Sequence, residues 1–195
     1  MKRQWGGVIL FAATVLCGPS HGESREHGAH VHGTAELDVA KVGNELAIDF
    51  RSPAMNIVGF EHAPTTDAQR RALADVLEQL RSPEALFGVP AAAGCEVTLS
   101  RAERAGGHAR DNEHGEHGEH DEHDGHDGRA RADGEHSEIR ARYRFECSAP
   151  EVLDAIGLRL FERFPATEFV RLQLLTDDAQ RSAVLTPEQS RIVFE

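Results

Sequence analysis

Glu138-Ile139-Arg140-Ala141-Arg142-Tyr143-Arg144-Phe145-Glu146-Cys147 is the stretch on which the fold turns. Ile139, Ala141, Tyr143, Phe145 and Cys147 alternate with Arg140, Arg142, Arg144 and Glu146. A period of two with this contrast describes a β-strand that buries one face and wets the other. Such a strand needs a partner, and Cys95-Glu96-Val97-Thr98-Leu99-Ser100 carries the same rhythm. An antiparallel register that sets Cys95 opposite Cys147 also sets Val97 opposite Phe145 and Leu99 opposite Tyr143. Every apolar partner then falls on one face, so this register predicts a Cys95–Cys147 disulfide at the base of a hairpin. By loop-closure entropy such a bridge contributes on the order of 4 kcal/mol.

Upstream, Ala35 to Val39 alternates, Gly43-Asn44 is a turn signal, and Leu46, Ile48 and Phe50 alternate with Ala47, Asp49 and Arg51. These read as a β-hairpin. Ser52-Pro53 ends it, and an apolar connection leads to His62-Ala63-Pro64. Thr66 or Asp67 then caps a helix to Leu80, with Leu73, Val76, Leu77 and Leu80 as its buried stripe. Ser82-Pro83-Glu84 starts a short helical turn that Gly88 ends. Downstream, Pro150 suits the first turn of a second helix, for which Leu153, Ile156, Leu160 and Phe164 supply a stripe. Val170, Leu172 and Leu174 make a fifth strand, and Ile192–Phe194 adds a short sixth. The expected fold is α+β, a two-layer antiparallel sheet of five or six strands with two main helices on one face.

Residues 106–136 do not fit that core. They carry no apolar period, and removing them leaves a continuous pattern on either side. A loop of this length in a compact domain is functional or disordered, so a disordered insertion at the hairpin tip is expected. The insertion holds His108, His114, His117, His120, His123, His126 and His136, seven of the chain's 12 histidines. Five of them, His114 to His126, recur at a strict spacing of three. Ten carboxylates and three arginines accompany them, a charge of −7 out of −12 for the chain. Imidazole suits zinc, nickel, copper and cobalt, and binds only when neutral. Neighbouring Asp and Glu fill remaining coordination positions, and the glycines let the backbone wrap an ion. Many equivalent ligand sets imply several exchanging sites rather than one closed tetrahedral centre. Binding should weaken as pH falls through about 6–7, the ordinary range of a histidine.

The chain's 33 acidic against 21 basic residues exclude a nucleic-acid or anionic-membrane partner, which needs clustered Lys and Arg. Lys2 and Arg3 precede an apolar run from Val8 to Cys17, far short of the roughly 18–20 residues that span a bilayer. Ser20 and Gly22 then suit a cleavage site. Residues 1–22 read as a signal peptide, with residues 23–195 as a single exported domain and no membrane insertion after cleavage. Export also permits the disulfide.

A second histidine group, His27-Gly-Ala-His30-Val-His32-Gly33, opens the first strand. His30 and His32 are two apart and project from one strand face, either as metal ligands or as exposed polar residues. His27 lies in the lead-in and could fold back as a third ligand. His62, beside Ala63-Pro64, reads more readily as a capping or packing residue, with a ligand role as the other reading.

Several of these phrases recur together in one family. They are the His-x-His-Gly opening, Ser52-Pro53-Ala54-Met55-Asn56-Ile57-Val58-Gly59-Phe60-Glu61-His62-Ala63-Pro64, Tyr143-Arg144-Phe145-Glu146-Cys147 and Leu160-Phe161-Glu162-Arg163-Phe164-Pro165, with a His-rich insertion between the two Cys segments. The chain resembles the ZrgA-like periplasmic zinc-binding proteins of Gram-negative bacteria. The resemblance implies zinc as the metal, a role in zinc uptake, and cooperation with a zinc ABC transporter or its solute-binding protein. It also implies metal roles for His30, His32, the insertion histidines and His62. The spacing alone fits a nickel or copper chaperone equally well. A metalloenzyme is the rival of another class, but there is no His-Glu-x-x-His, Gly-x-Ser-x-Gly or Walker loop. A catalytic zinc also needs a rigid shell with one open position, which a Gly-rich tract provides poorly. The expectation is a binding protein rather than an enzyme.

Overall fold

The structure is a computed structural model that describes residues 31–106 and 136–194. The signal-peptide reading, His27, His30 and the insertion histidines from His108 to His126 lie outside the described residues, as does the expectation of disorder in the insertion.

Strand β1 (Thr34–Val42) turns at Gly43-Asn44 into β2 (Glu45–Pro53), with Val42 paired to Glu45 across a two-residue loop. Gly43 has φ 57°, the left-handed geometry such a hairpin turn demands. Helix α1 (Ala54–Val58) follows, and α2 (Asp67–Leu80) begins at a Thr66–Gln69 capping box. A two-residue strand β3 (Phe87–Gly88) precedes the hairpin β4 (Cys95–Ala105) and β5 (Glu138–Cys147). After it come β6 (Ala155–Leu158), α3 (Leu160–Arg163), β7 (Phe169–Thr176), β8 (Gln180–Leu185) and β9 (Arg191–Val193).

Six strands form the main sheet in the order β4-β5-β2-β1-β7-β8, and β3-β6-β9 form a small second sheet. The α+β class is as expected. The inward residues of the main sheet are those the alternation marked: Leu37 and Val39, Ile48 and Phe50, Ile139 and Tyr143, Val170 and Leu172 are all buried. They join one hydrophobic cluster with Leu80, Phe87, Ile156, Leu160, Phe164 and Ile192 from the second layer. Tyr143 pins the two layers together. Its ring meets Phe87 edge-on, and its hydroxyl donates to the Leu80 carbonyl at 2.6 Å, satisfying an orphan acceptor at the end of α2. Burial pushes the Tyr143 pKa up, so the group stays a neutral donor.

On the wet face the arginines of the alternating strands meet acids from their neighbours. Arg51 reaches Glu36 and Asp38 at 3.1 and 2.9 Å, and Arg144 reaches Asp49 at 2.9 Å. Burial acts to lower the Arg51 pKa, but Asp38 and Glu36 together outweigh it and raise the value.

Four details differ from the reading of the sequence. β1 pairs with β7 in parallel, so the sheet has one parallel seam among antiparallel pairs. The second main helix is absent. Pro150 opens only a 3-10 turn, Ala155-Ile156-Gly157-Leu158 is a strand, and α3 is four residues long. Leu153, Ile156, Leu160 and Phe164 are buried as expected, but Gly157 disfavours a helix there and pairing with β9 satisfies the backbone instead. The short strand at Ile192 belongs to this second sheet, and β8 fills the sixth place in the main one.

The fourth difference is a register shift in β4. Cys95 faces Cys147 and Val97 faces Phe145 as expected, and the two cysteines are disulfide-bonded. An irregularity between Val97 and Leu99 then sets Leu99 against Arg144 and Ser100 against Tyr143. One extra residue in a strand turns the following side chains over. Leu99 is exposed, as is Val97 ahead of the irregularity, against the expectation of an inward face here, and Ala102 takes the inward position on this edge strand. The Thr98 hydroxyl donates to the Arg144 carbonyl at 3.2 Å within the irregular stretch.

Candidate functional site

One end of the main sheet gathers the start of β1, the end of β2, the end of β4 and the start of β5. Ala105 pairs with Glu138, and Glu138 pairs with Pro53. The insertion therefore leaves and re-enters the fold at this end. The disulfide closes the opposite end of the same hairpin, roughly 30 Å away at about 3.4 Å per residue. The covalent clamp holds the base while the insertion root lies at the other limit of the strands.

The root needs two glycines. Gly106 has φ 78°, and a Cβ there would lie 2.8 Å from the His136 carbonyl oxygen. Close backbone approach of Gly106 to His136 is what draws the two ends of the insertion together. Gly33 has φ 79°, and its carbonyl accepts from the amides of Glu168 and Phe169 at 2.7 and 2.9 Å. That turn sets the direction in which His32 leaves β1.

Asn56 locks the same turn from inside. It is 4% exposed. Its Oδ1 accepts from the Gly33 amide at 2.9 Å, and its Nδ2 donates to the Thr34 carbonyl and the Ser52 hydroxyl at 3.1 and 3.2 Å. A short helix serves here because α1 places Asn56 under the β1 start, and Gly59, at φ 80°, ends it in the left-handed conformation. The chain then reverses into Phe60 and Glu61.

Glu61 is the centre of the site. Its carbonyl accepts from the Ser137 hydroxyl at 2.6 Å and from Arg104 Nη2 at 3.1 Å. Its side chain is 11% exposed, and the two carboxylate oxygens divide between two histidines. His32 Nε2 lies 3.3 Å from Oε1, and His136 Nδ1 lies 2.5 Å from Oε2. An ionised carboxylate only accepts, so each ring nitrogen donates. Three positions far apart in sequence thus meet at the insertion root.

His62 points to other partners. Its Nδ1 lies 2.8 Å from the Ala63 carbonyl, and its ring stacks on Phe60 with centroids 5.3 Å apart. His32 and His136 come together through Glu61; His62 is engaged beside them. Among the described residues no group of three or more His, Cys, Asp or Glu side chains is placed to hold a metal ion. His32 and His136 were marked by the sequence pattern, whereas Glu61 and Asn56 were not. One signal was available: Glu61 is the sole charged residue between Pro53 and Pro64.

The chain matches the family model described as ZrgA family zinc uptake protein over residues 29–194. It belongs to that family. The match spans the sheet, the Glu61 site and the insertion together, and it gives the chain a zinc-related role. No curated protein matches the chain. Among the described residues of this ZrgA-family chain, no helix is long and apolar enough to cross a membrane.

Proposed function

We propose that this ZrgA-family chain is exported to the periplasm, binds zinc there, buffers it, and passes it to a zinc uptake transporter or that transporter's solute-binding protein. The observation that carries this reading is the placement of the insertion root. Seven histidines are strung between Gly106 and Ser137, and the last of them meets His32 on the Glu61 carboxylate. The insertion supplies capacity, with many interchangeable imidazoles and carboxylates that bind and release ions readily. The folded end supplies ligands whose directions are set by Gly33, Asn56 and Ser137. Zinc is favoured over nickel and copper by the family, and imidazole with carboxylate oxygen is a donor set that zinc accepts. The protein acts as a binder rather than an enzyme, since a Gly-rich tract of interchangeable ligands is a poor rigid shell for a catalytic metal.

Calorimetric titration of residues 23–195 with zinc at pH 7.5 and 5.5 tests the proposal, alongside a variant lacking residues 107–135. That deletion is structurally mild. It joins Gly106 to His136 and leaves Gly106-His136-Ser137 as a three-residue hairpin loop between Ala105 and Glu138. Several equivalents of zinc are expected for the intact chain at pH 7.5, most of them lost on deletion, and much weaker binding at pH 5.5. Unchanged stoichiometry after deletion would remove the insertion's role in capture.

A further inference from the structure

We infer that strand β8 is a docking edge, on which an extended, acidic segment of a partner protein adds as a seventh strand. The inference rests on the hand-off reading above for the partner's role as zinc recipient, and it gives that recipient a place to bind. The main sheet ends in two edges, β4 and β8. An open edge offers unpaired N–H and C=O groups, and proteins blunt such edges with bulges, charges or covering groups. β4 has all three. Its register shifts after Val97, Arg101, Glu103 and Arg104 line it, and Arg81, just after α2, donates to the Ala102 carbonyl at 3.3 Å. β8, Gln180-Arg181-Ser182-Ala183-Val184-Leu185, carries one arginine and none of the other devices. Among the described residues it pairs with β7 alone, in unbroken register, and its side chains are exposed from Gln180 to Val184.

Charge selects the occupant. β1, β2, β4 and β5 each carry two acidic residues, whereas β7 and β8 carry Arg171 and Arg181 and no acid. Arg171 stands opposite Glu36 in the register, but Glu36 is engaged by Arg51. Neither Arg171 nor Arg181 has an ion pair among the described residues. The flanking acids turn elsewhere: Glu168 lies against Gly33, and Asp177 accepts from the Gly43 amide at 3.2 Å. A chain of net charge −12 thus presents a positive ribbon at its unguarded edge. A second copy's β8 would bring the same positive charge to that edge, so an acidic partner is the complementary one.

The two faces of β8 define the pattern of the added strand. Val184 is exposed on the wet face, opposite Arg171 and diagonal to the exposed Phe169. Arg181 belongs to the other face, opposite Leu174. Successive side chains of an added strand fall on alternate faces. Apolar residues beside Val184 and acidic residues beside Arg181 therefore make an alternating apolar–acidic segment the fitting one. The position also suits a hand-off. The Phe169 amide donates to the Gly33 carbonyl at 2.9 Å, so this end of the β7–β8 ribbon adjoins the His32 turn. An added strand would lie about 15 Å from β1, three interstrand spacings of about 4.8 Å.

The test titrates ¹⁵N-labelled residues 23–195, observed by NMR, with a hexapeptide alternating valine and glutamate. A peptide alternating valine and lysine and a fully N-methylated valine–glutamate peptide serve as comparisons. The valine–glutamate peptide is expected to give saturable shifts at Gln180–Leu185, and the lysine peptide to bind about fivefold more weakly or worse. The methylated peptide, which has no backbone donors, should give none. Arg181→Glu changes an exposed side chain and should invert the preference, so that the lysine peptide binds the tighter. Absence of shifts on β8, equal affinity for the two charged peptides, or undiminished binding of the methylated peptide overturns the inference. So does sedimentation of the free chain as a dimer that pairs through β8. Zinc calorimetry separates this inference from the reading it rests on. Arg181→Glu should keep the parent's stoichiometry; if the parent itself binds no zinc, the zinc reading falls while the shifts on β8 still decide the docking edge.

Discussion

Replacing Asn56 with Ala should cost about 3 kcal/mol, and the figure follows from what the side chain does. Asn56 is buried and makes three hydrogen bonds, to the Gly33 amide, the Thr34 carbonyl and the Ser52 hydroxyl. Alanine leaves the buried Gly33 amide without its acceptor and the Thr34 carbonyl without this donor. A stranded buried polar group costs about 1–3 kcal/mol, and two of them with a small void bring the total to about 3 kcal/mol. For a chain of this size that corresponds to a fall in Tm of about 6–12 °C. Urea unfolding followed by circular dichroism measures it, with an unchanged m-value expected because the same surface is exposed. Ser52→Ala is the companion variant. It removes the 3.2 Å partner of Asn56 Nδ2 together with the hydroxyl's own 3.3 Å donation to the Pro53 carbonyl and should cost about 1 kcal/mol. Asn56→Ala should also slacken the Gly33 turn and with it the direction of His32. A loss below about 1 kcal/mol would refute the clamp.

Three further outcomes follow from other parts of the fold. Gly106→Ala combines a left-handed φ of 78° with a Cβ 2.8 Å from a backbone oxygen; it should destabilise by about 1–3 kcal/mol, read by the same urea titration. Replacing both Cys95 and Cys147 with Ser should cost about 2–4 kcal/mol while leaving zinc stoichiometry unchanged in calorimetry, because the bridge lies at the end of the hairpin away from the insertion. Tyr143→Phe strands the Leu80 carbonyl that the hydroxyl now serves at 2.6 Å; a loss of about 1–2 kcal/mol is expected in thermal unfolding.

The sheet was legible because its strands alternate. Ile139 to Cys147 and Leu46 to Phe50 carry enough contrast to fix face and partner at once, and the Cys95–Cys147 register followed from pattern alone. The elements that differ lack that contrast. Gln180 to Leu185 is exposed along most of its length, so β8 has no apolar rhythm to announce it. Leu153, Ile156, Leu160 and Phe164 are all buried, yet a short apolar run records burial without recording whether helix or strand provides it. The parallel seam between β1 and β7 depends on how distant segments return to the sheet, and no local pattern encodes that. The irregularity after Val97 is similar: a one-residue shift in an edge strand leaves no mark on the composition.

The site divides in the same way. Histidines are rare enough that His32 and His136 stand out, and the repeat from His114 to His126 needs no structure to be noticed. Glu61 is one of 33 acidic residues, and its importance comes from a three-dimensional meeting of the β1 start, the chain after α1 and the insertion root. Asn56 is still less visible, because its work is to hold two backbone groups. Both lie in the Pro53–Pro64 phrase that carries the family resemblance. The structure gives that phrase a physical content: Asn56 clamps the His32 turn, Gly59 reverses the chain, and Glu61 receives the two imidazoles.

Metal analysis of the protein as it comes from the periplasm tests the central claim most directly. The chain is isolated under metal-free handling from cells grown with limiting zinc and with equal traces of nickel and copper, and its metal content is measured by mass spectrometry. The account predicts zinc as the dominant metal at one equivalent or more per chain. Chains that emerge without metal, or loaded chiefly with nickel or copper, would contradict it.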